Sequence, residues 1–172
     1  IPILLSMPNQ DVQLVRPTVE LKQTYLDGLR EFQAEGLAWM TDIHVSELEQ
    51  NFEKFVEAEL CKKTSWTKDT PVEETELWAV CDDTFVGRVS IRHALNEDLR
   101  TMGGHIGYDT RPSFRGKGIA TSMLRQALPI AKILGITEAL ITCNDSNIPS
   151  IVVIEKNRGV LKEVKPQFDG GP

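Results

Sequence analysis

The stretch Tyr108 to Leu124, YDTRPSFRGKGIATSML, constrains the fold more than any other part of this chain. A strand signal over His105 to Thr110 passes through RPSF into two glycines, Gly116 and Gly118, and then into a helix pattern from about Gly116 to Leu134. A strand delivered to a helix through a bare loop belongs to a layered arrangement of sheet and helices. Gly116 and Gly118 let backbone amides approach a ligand closely, and the helix that starts there carries amides with no partner inside the helix. Such an end attracts anions, and Arg115 and Lys117 add charge of the right sign, which suits a phosphate or pyrophosphate. The other reading is a basic helix start that caps and solvates itself, and the glycine pattern alone leaves both open. A P-loop would need Gly-x-x-x-x-Gly-Lys-Ser/Thr; the dinucleotide fingerprint would need a small residue where Thr121 stands and an acidic ribose contact further on.

The remaining segments fit the same layered scheme. Val12 to Arg16 reads as a short strand stopped by Pro17. Leu21, Tyr25, Leu29 and Phe32 fall three or four apart, predicting a helix over Val19 to Ala34. Ser46 begins a Ser-Glu-Leu-Glu capping box before a second helix carrying Phe52, Phe55, Val56 and Leu60. Lys62 to Thr75, polar and containing Pro71, reads as a surface loop. Leu77 to Val80 and Phe85 to Ile91 form a hairpin about Asp82-Asp83. Pro129 should kink the third helix or end its regular part. Beyond it come an apolar strand over Ile136 to Cys143, a helix over Asn147 to Asn157, and a last strand starting at Val160 to Val164. The expectation is one domain over residues 1–172, a mixed α/β sheet with helices on both faces.

Charge and cysteine usage narrow the function classes. A formal net charge of −6 argues against a general nucleic-acid binder, which needs a broad basic face. An acidic surface suits cationic small molecules or basic peptides, and Glu47, Glu49, Glu53, Glu57 and Glu59 read as a solvated face of the second helix or as a steering field for such a partner. The 3 cysteines, Cys61, Cys81 and Cys143, are far apart and form no Cys-x-x-Cys pair, so no metal site is expected and buried thiols in a reducing cytoplasm are. Ile1 to Ser6 is too short for a signal peptide, and no apolar run spans a bilayer. The chain starts without Met and ends in FDGGP, so one or both natural ends are expected to be missing.

Arg115-Gly116-Lys117-Gly118-Ile119-Ala120 resembles the Arg/Gln-x-x-Gly-x-Gly/Ala signature of the GNAT superfamily of N-acetyltransferases. NIPSIVVIEKNRG, Asn147 to Gly159, is similar to a second segment of that family, with Asn147, Ser150, Glu155 and Lys156 in matching places. The likeness covers nearly the whole chain and is strongest to poorly characterised bacterial-type members. It implies a central sheet with two splayed parallel strands, here Ile106 to Thr110 and Leu140 to Cys143, and acetyl-CoA as cosubstrate. On this resemblance the backbone of Arg115 through Ala120 holds the pyrophosphate, with Arg115 and Lys117 as charge partners. The strand backbone at Tyr108, Asp109 and Thr110 pairs with the pantetheine arm, and Asn147 and Ser150 lie beside it.

The reaction the resemblance implies is acetyl transfer to a primary amine on a small amine, an amino acid or a peptide, by direct attack on the thioester. An ammonium with a pKa near ~10.4 must first lose a proton, so a general base is sought. His105 stands where the family often has a strand glutamate and is the candidate base, although a lone strand His equally serves as a structural hydrogen-bonder. His44 and His93 rank below it, His44 lying in a loop that shapes the acceptor pocket in the family. Tyr108 is the candidate to steady the thioester carbonyl or else packs in the core. Ile154 replaces the tyrosine that many members use as acid, and Arg158 replaces the first glycine after Glu-Lys. The alternative is a non-catalytic domain that binds an acyl-CoA. An edge strand near the C-terminus offers a route to a homodimer. The acceptor itself would be chosen by loops around Trp39 to Val45 and Thr67 to Thr75, which carry no readable motif.

Overall fold

The structure, a computed structural model, describes residues 11–36, 42–64, 68 and 70–165. The expectations for Ile1 to Ser6, for Trp39 to Thr41 and Thr67 within the acceptor loops, and for the FDGG end lie outside these residues.

A sheet of four strands, in the order β1-β2-β3-β4, organises the chain. The strands are β1 (Gln13–Val15), β2 (Glu74–Cys81), β3 (Thr84–Arg92) and β4 (Ile106–Thr110), and every pairing is antiparallel. The hairpin between β2 and β3 turns on Asp82 and Asp83, both left-handed with φ 46° and 57°. That is the primed geometry that matches the twist of the flanking strands, and aspartate is among the few residues besides glycine that tolerate it.

Helices cover both faces. On one side lie α1 (Lys22–Ala34), entered through a short 3-10 turn at Val19–Leu21, then α2 (Val45–Gln50) and α3 (Phe52–Leu60). Their apolar stripes bury Leu26, Leu29, Phe32, Phe52 and Val56 against Trp78 and Phe85 of the sheet. On the other side α5 (Ile119–Ile133) presents Met123, Leu124, Ala127 and Ala131 to Leu77, Val89, Ile91 and Ile106. The strands alternate so that each neighbouring residue serves a different layer, which is why both faces of β2 and β3 are buried.

Several sequence expectations are corrected. The second helix starts at Val45 with His44 as N-cap and no side-chain cap, so Ser46 closes no capping box, and the helix breaks at Asn51 before resuming as α3. Glu47, Glu49, Glu53 and Glu57 are exposed as expected, but Glu59 is not. A short helix α4 (Glu97–Thr101) precedes β4, capped by Asn96, whose side-chain oxygen accepts from the Leu99 amide at 2.9 Å. Helix α5 runs through Pro129 rather than ending there, with Pro129 at an exposed position and no amide to donate to the Arg125 carbonyl. Of the cysteines only Cys81 is buried, while Cys61 and Cys143 are exposed thiols.

The largest correction concerns the expected parallel strands. Residues 136–143 do not join the sheet, Ile136 being buried, 139–142 half-buried and Thr137, Glu138 and Cys143 exposed, and 160–164 is likewise no strand, with Val160 and Leu161 exposed. The first segment meets the residues just ahead of β4 rather than β4 itself: the His105 amide donates to the Leu140 carbonyl at 2.7 Å, and the Gly103 amide to Thr142 Oγ1 at 2.8 Å. Among the described residues no backbone bond joins 106–110 to 141–143. The last helix, α6 (Ile148–Lys156), closes this side. Among the described residues no helix is long and apolar enough to cross a membrane.

Candidate functional site

The loop ahead of α5 adopts the geometry its glycines suggest. Gly116 and Gly118 are left-handed, with φ 74° and 79°, and Gly118 is the N-cap residue of α5 without any side-chain cap. A Cβ built on either glycine meets nothing within 4 Å. Conformation rather than internal crowding therefore calls for glycine here, and the space over the loop is open to a ligand. The first helical bond runs from the Ser122 amide to the Gly118 carbonyl at 3.0 Å, so the amides of Ile119, Ala120 and Thr121 precede the intrahelical ladder. The open cradle and its unladdered amides fit a pyrophosphate group.

The three cations of this stretch have different employment. Arg111 is structural: its guanidinium donates to the Thr24 carbonyl and hydroxyl, to the Phe85 carbonyl and to Glu31. Arg115 pairs with Glu35 at 2.7 Å and remains about half exposed. Lys117 rests its ammonium over the Phe114 ring, 4.8 Å from the centroid, at the mouth of the loop.

Beside the loop, β4 presents an outer edge that residues 141–143 leave unpaired, and a row of unpaired amides and carbonyls is a template for another extended chain. Tyr108 of this strand packs against the core on the α5 side. Its hydroxyl meets Ser150 Oγ at 2.8 Å, and burial holds its pKa above the ordinary tyrosine value, so it stays protonated. Asn147 uses its side-chain oxygen to cap α6 by accepting from the Ser150 amide at 3.2 Å, which leaves its amide nitrogen as what it can offer a ligand. Asp109 points to the opposite face, where its carboxylate accepts from Arg88 Nε at 3.0 Å, and the Thr110 carbonyl accepts from Arg115.

His105 is placed as a structural hydrogen-bonder. Its Nδ1 accepts from the Leu140 amide at 3.0 Å, and burial followed by the nearby Arg100 lowers its pKa. It is therefore a neutral ring whose basic lone pair is already in use, the proton residing on Nε2. That geometry does not favour His105 as the base. His93 is tied to Thr75 at 2.7 Å, and His44 caps α2 at the surface. Ile154 packs against the aliphatic core, and Gly159 is needed because a Cβ there would lie 2.3 Å from Ile154 Cγ2. Arg158 takes the left-handed conformation, φ 65°, that a glycine would hold more cheaply.

A polar cluster that sequence reasoning missed lies on the α1 side of the sheet. Glu74 and Glu76 on β2 and Ser90 and Arg92 on β3 are all buried. The Ser90 hydroxyl touches carboxylate oxygens of both Glu74 and Glu76, the latter at 2.9 Å. Glu76 also pairs with Arg88 at 3.3 Å and Lys62 at 3.4 Å, and Lys62 with Glu59 at 3.0 Å. Burial raises the Glu59 carboxyl above the usual range against the pull of Lys62. Ser90 stands opposite Gly107 of β4, which has no side chain to cover it. The signal for this cluster was present in the alternation Glu74-Thr75-Glu76-Leu77 and Arg88-Val89-Ser90-Ile91-Arg92. A charged face with period two reads as solvent-facing until a helix layer is known to lie over it.

Residues 23–160 match the Acetyltransferase (GNAT) domain family, a span that contains the loop, the open strand edge and the buried cluster. The chain belongs to the GNAT acetyltransferases. Among solved structures, this GNAT acetyltransferase is similar to the Microcin C7 self immunity acetyltransferase MccE, in complex with acetyl-CoA and AMP. Identity is 16%, coverage is 86% of this chain and 78% of that one, and the TM-score is 0.57. It is also similar to a protein from Vibrio cholerae described as a ribosomal-protein-serine acetyltransferase, at 18% identity, 84% and 77% coverage and a TM-score of 0.51. At these identities the likeness is one of fold. No curated protein matches the chain.

Proposed function

We propose that this GNAT acetyltransferase moves an acetyl group from acetyl-CoA to a primary amine, on a small molecule, an amino acid or a peptide, by direct attack of the amine on the thioester. The observation that carries the reading is the left-handed Gly116 and Gly118 cradle, open to solvent and leading into the amides of Ile119 and Ala120. Arg115 and Lys117 supply the counter-charge, and the free edge of β4 at Tyr108, Asp109 and Thr110 accepts the extended arm of the cofactor. Asn147 contacts that arm through its side-chain amide.

The protonated Tyr108 hydroxyl, held by Ser150, takes the part that Ile154 cannot play. With His105 committed to Leu140, the acceptor's proton passes to the Glu74, Ser90 and Glu76 cluster. The Ser90 hydroxyl faces both carboxylates and holds the three groups together on one face of the sheet. The cluster sets the carboxylates Glu59, Glu74, Glu76 and Asp109 against the cations Lys62, Arg88 and Arg92, a balance that an ammonium acceptor completes. The exposed thiols of Cys61 and Cys143 suit a reducing cytoplasm.

Titration calorimetry with acetyl-CoA tests the cofactor site. Micromolar binding that Gly118→Trp abolishes supports it, and a wild type that does not bind refutes it. A panel of amines followed by thiol release then separates catalysis from the second reading, an acyl-CoA-binding domain without turnover, which Ile154 favours.

A further inference from the structure

Helix α1 reaches the loop through two carboxylates one turn apart. Glu31 receives three bonds from the turn Pro112–Phe114, which leads directly into the loop, and from the arginine before it. Its Oε1 accepts from Arg111 Nε at 2.8 Å and from Ser113 Oγ at 3.0 Å, and its Oε2 accepts from the Ser113 amide at 2.9 Å. Burial alone would raise this carboxyl, but those bonds from Ser113 and Arg111 leave it below the usual range, as expected of an anion that is well served. Four residues on, Glu35 does something different. It sits at the C-terminal end of α1, where a negative charge opposes the helix dipole, and its contact is with the guanidinium of Arg115, 2.7 Å away. Arg115 is one of the two cations flanking the open glycine cradle, so Glu35 occupies a charge that an incoming phosphate would use.

We propose that α1 sets the affinity of the loop through two carboxylates of opposite effect: Glu31 is a positioning residue that holds the loop in its binding shape, and Glu35 is a resident counter-ion that cofactor phosphates displace from Arg115. This rests on the reading of the loop as the coenzyme A site. It also means that cofactor binding is felt in α1, the helix that packs over the face carrying Ser90 and Glu76. A phosphate arriving at Arg115 frees Glu35, while Glu31 keeps the turn anchored throughout.

The two carboxylates are separable by sign. Calorimetric titration of the full chain with coenzyme A, at fixed ionic strength, compares wild type, Glu31→Gln, Glu35→Gln and the double variant. Loss of one to two charge-assisted bonds at Glu31 raises Kd about tenfold. Removal of the competing carboxylate at Glu35 lowers Kd by about three- to fivefold, as a surface ion pair given up before binding requires. The double variant falls between. A merely structural Glu35–Arg115 pair would instead leave the loop looser and Kd higher in Glu35→Gln, and that result, or no change in Kd, overturns the counter-ion role. Ser113→Ala, which removes one bond to Glu31 from the exposed side, keeps the positioning role testable if Glu31→Gln folds poorly; an unchanged Kd in both refutes it. A wild type that binds no coenzyme A overturns the loop reading and this inference together, whereas a binding wild type with equal variants overturns the inference alone.

Discussion

The two faces of the sheet are filled in different ways. Against α5 the packing is aliphatic and dry, with Leu77, Val89, Ile91 and Ile106 meeting Met123, Leu124 and Ala127. Against α1 and α3 the face divides in two. Its Trp78 end is an aromatic cluster, in which Tyr25 stacks on Trp78 at 4.5 Å and meets Phe85 at 4.9 Å, while its other end carries Glu74, Glu76, Ser90 and Arg92. One face holds the sheet and its helix together, and the other gives up part of that cohesion to place charges where they are screened from water. Buried ionic groups are weak stabilisers in themselves, since desolvation offsets their attraction. Their cost is met by the aromatic neighbours, which is the arrangement expected where a face has chemistry to perform.

The sharpest way to break this contrast is to remove Trp78, which is fully buried and touches four other rings. Trp78→Ala should cost about 3–5 kcal/mol in denaturant unfolding, with Leu124→Ala on the aliphatic face at the lower end of about 2–5 kcal/mol. Equal losses would show that the aromatic end bears no extra share. Next in size, Glu76→Gln should cost about 1.5–3 kcal/mol, because Arg88, Lys62 and Ser90 all lean on that carboxylate. An unchanged midpoint would mean the cluster is held by its other members.

A smaller and more diagnostic effect is the pH dependence of two glutamates. Glu31 has a lowered pKa in the fold, so its stabilisation is present above the unfolded value and is lost as pH falls through the folded one. Glu59 has a raised pKa, so its contribution is fully present at low pH and is lost as pH rises through the folded value. Glu31→Gln should therefore weaken the protein at neutral pH and converge on wild type in acid. Glu59→Gln should be no worse than wild type at neutral pH and lose any advantage in acid. Parallel pH profiles for the two variants would contradict these assignments. The smallest change is Arg158→Gly, which relieves a left-handed backbone at the end of α6 and should add about 0.5–1 kcal/mol.

Much of the turn and loop geometry was legible in the chain because it is local. Gly116 and Gly118, the Asn147 cap and the Asp82-Asp83 turn each follow from residues within a few positions of one another, where backbone conformation answers directly to side-chain type. His105 stands one residue ahead of β4, and its role was not legible, since the Leu140 amide that occupies its nitrogen lies 35 residues away. The same is true of Glu31 and Arg111, joined across 80 positions. Residues 136–143 misled for a related reason: their apolar run is what a buried strand looks like, yet pairing needs a partner edge in reach, and the segment's bonds toward the sheet go to Gly103 and His105, ahead of β4.

The sequence by itself determined the hairpin, the helical stripes of α1, α3 and α5, and the left-handed glycine turn at the head of α5, because each depends on periodicity or on one residue's allowed φ. Only the tertiary structure decided which charges face a ligand. It set Arg111 to structural duty, tied Arg115 to Glu35, took up the His105 lone pair, and buried an alternating charged face of β2 and β3 beneath a helix layer. A charge acquires its role from the groups that surround it, and those come from distant parts of the chain.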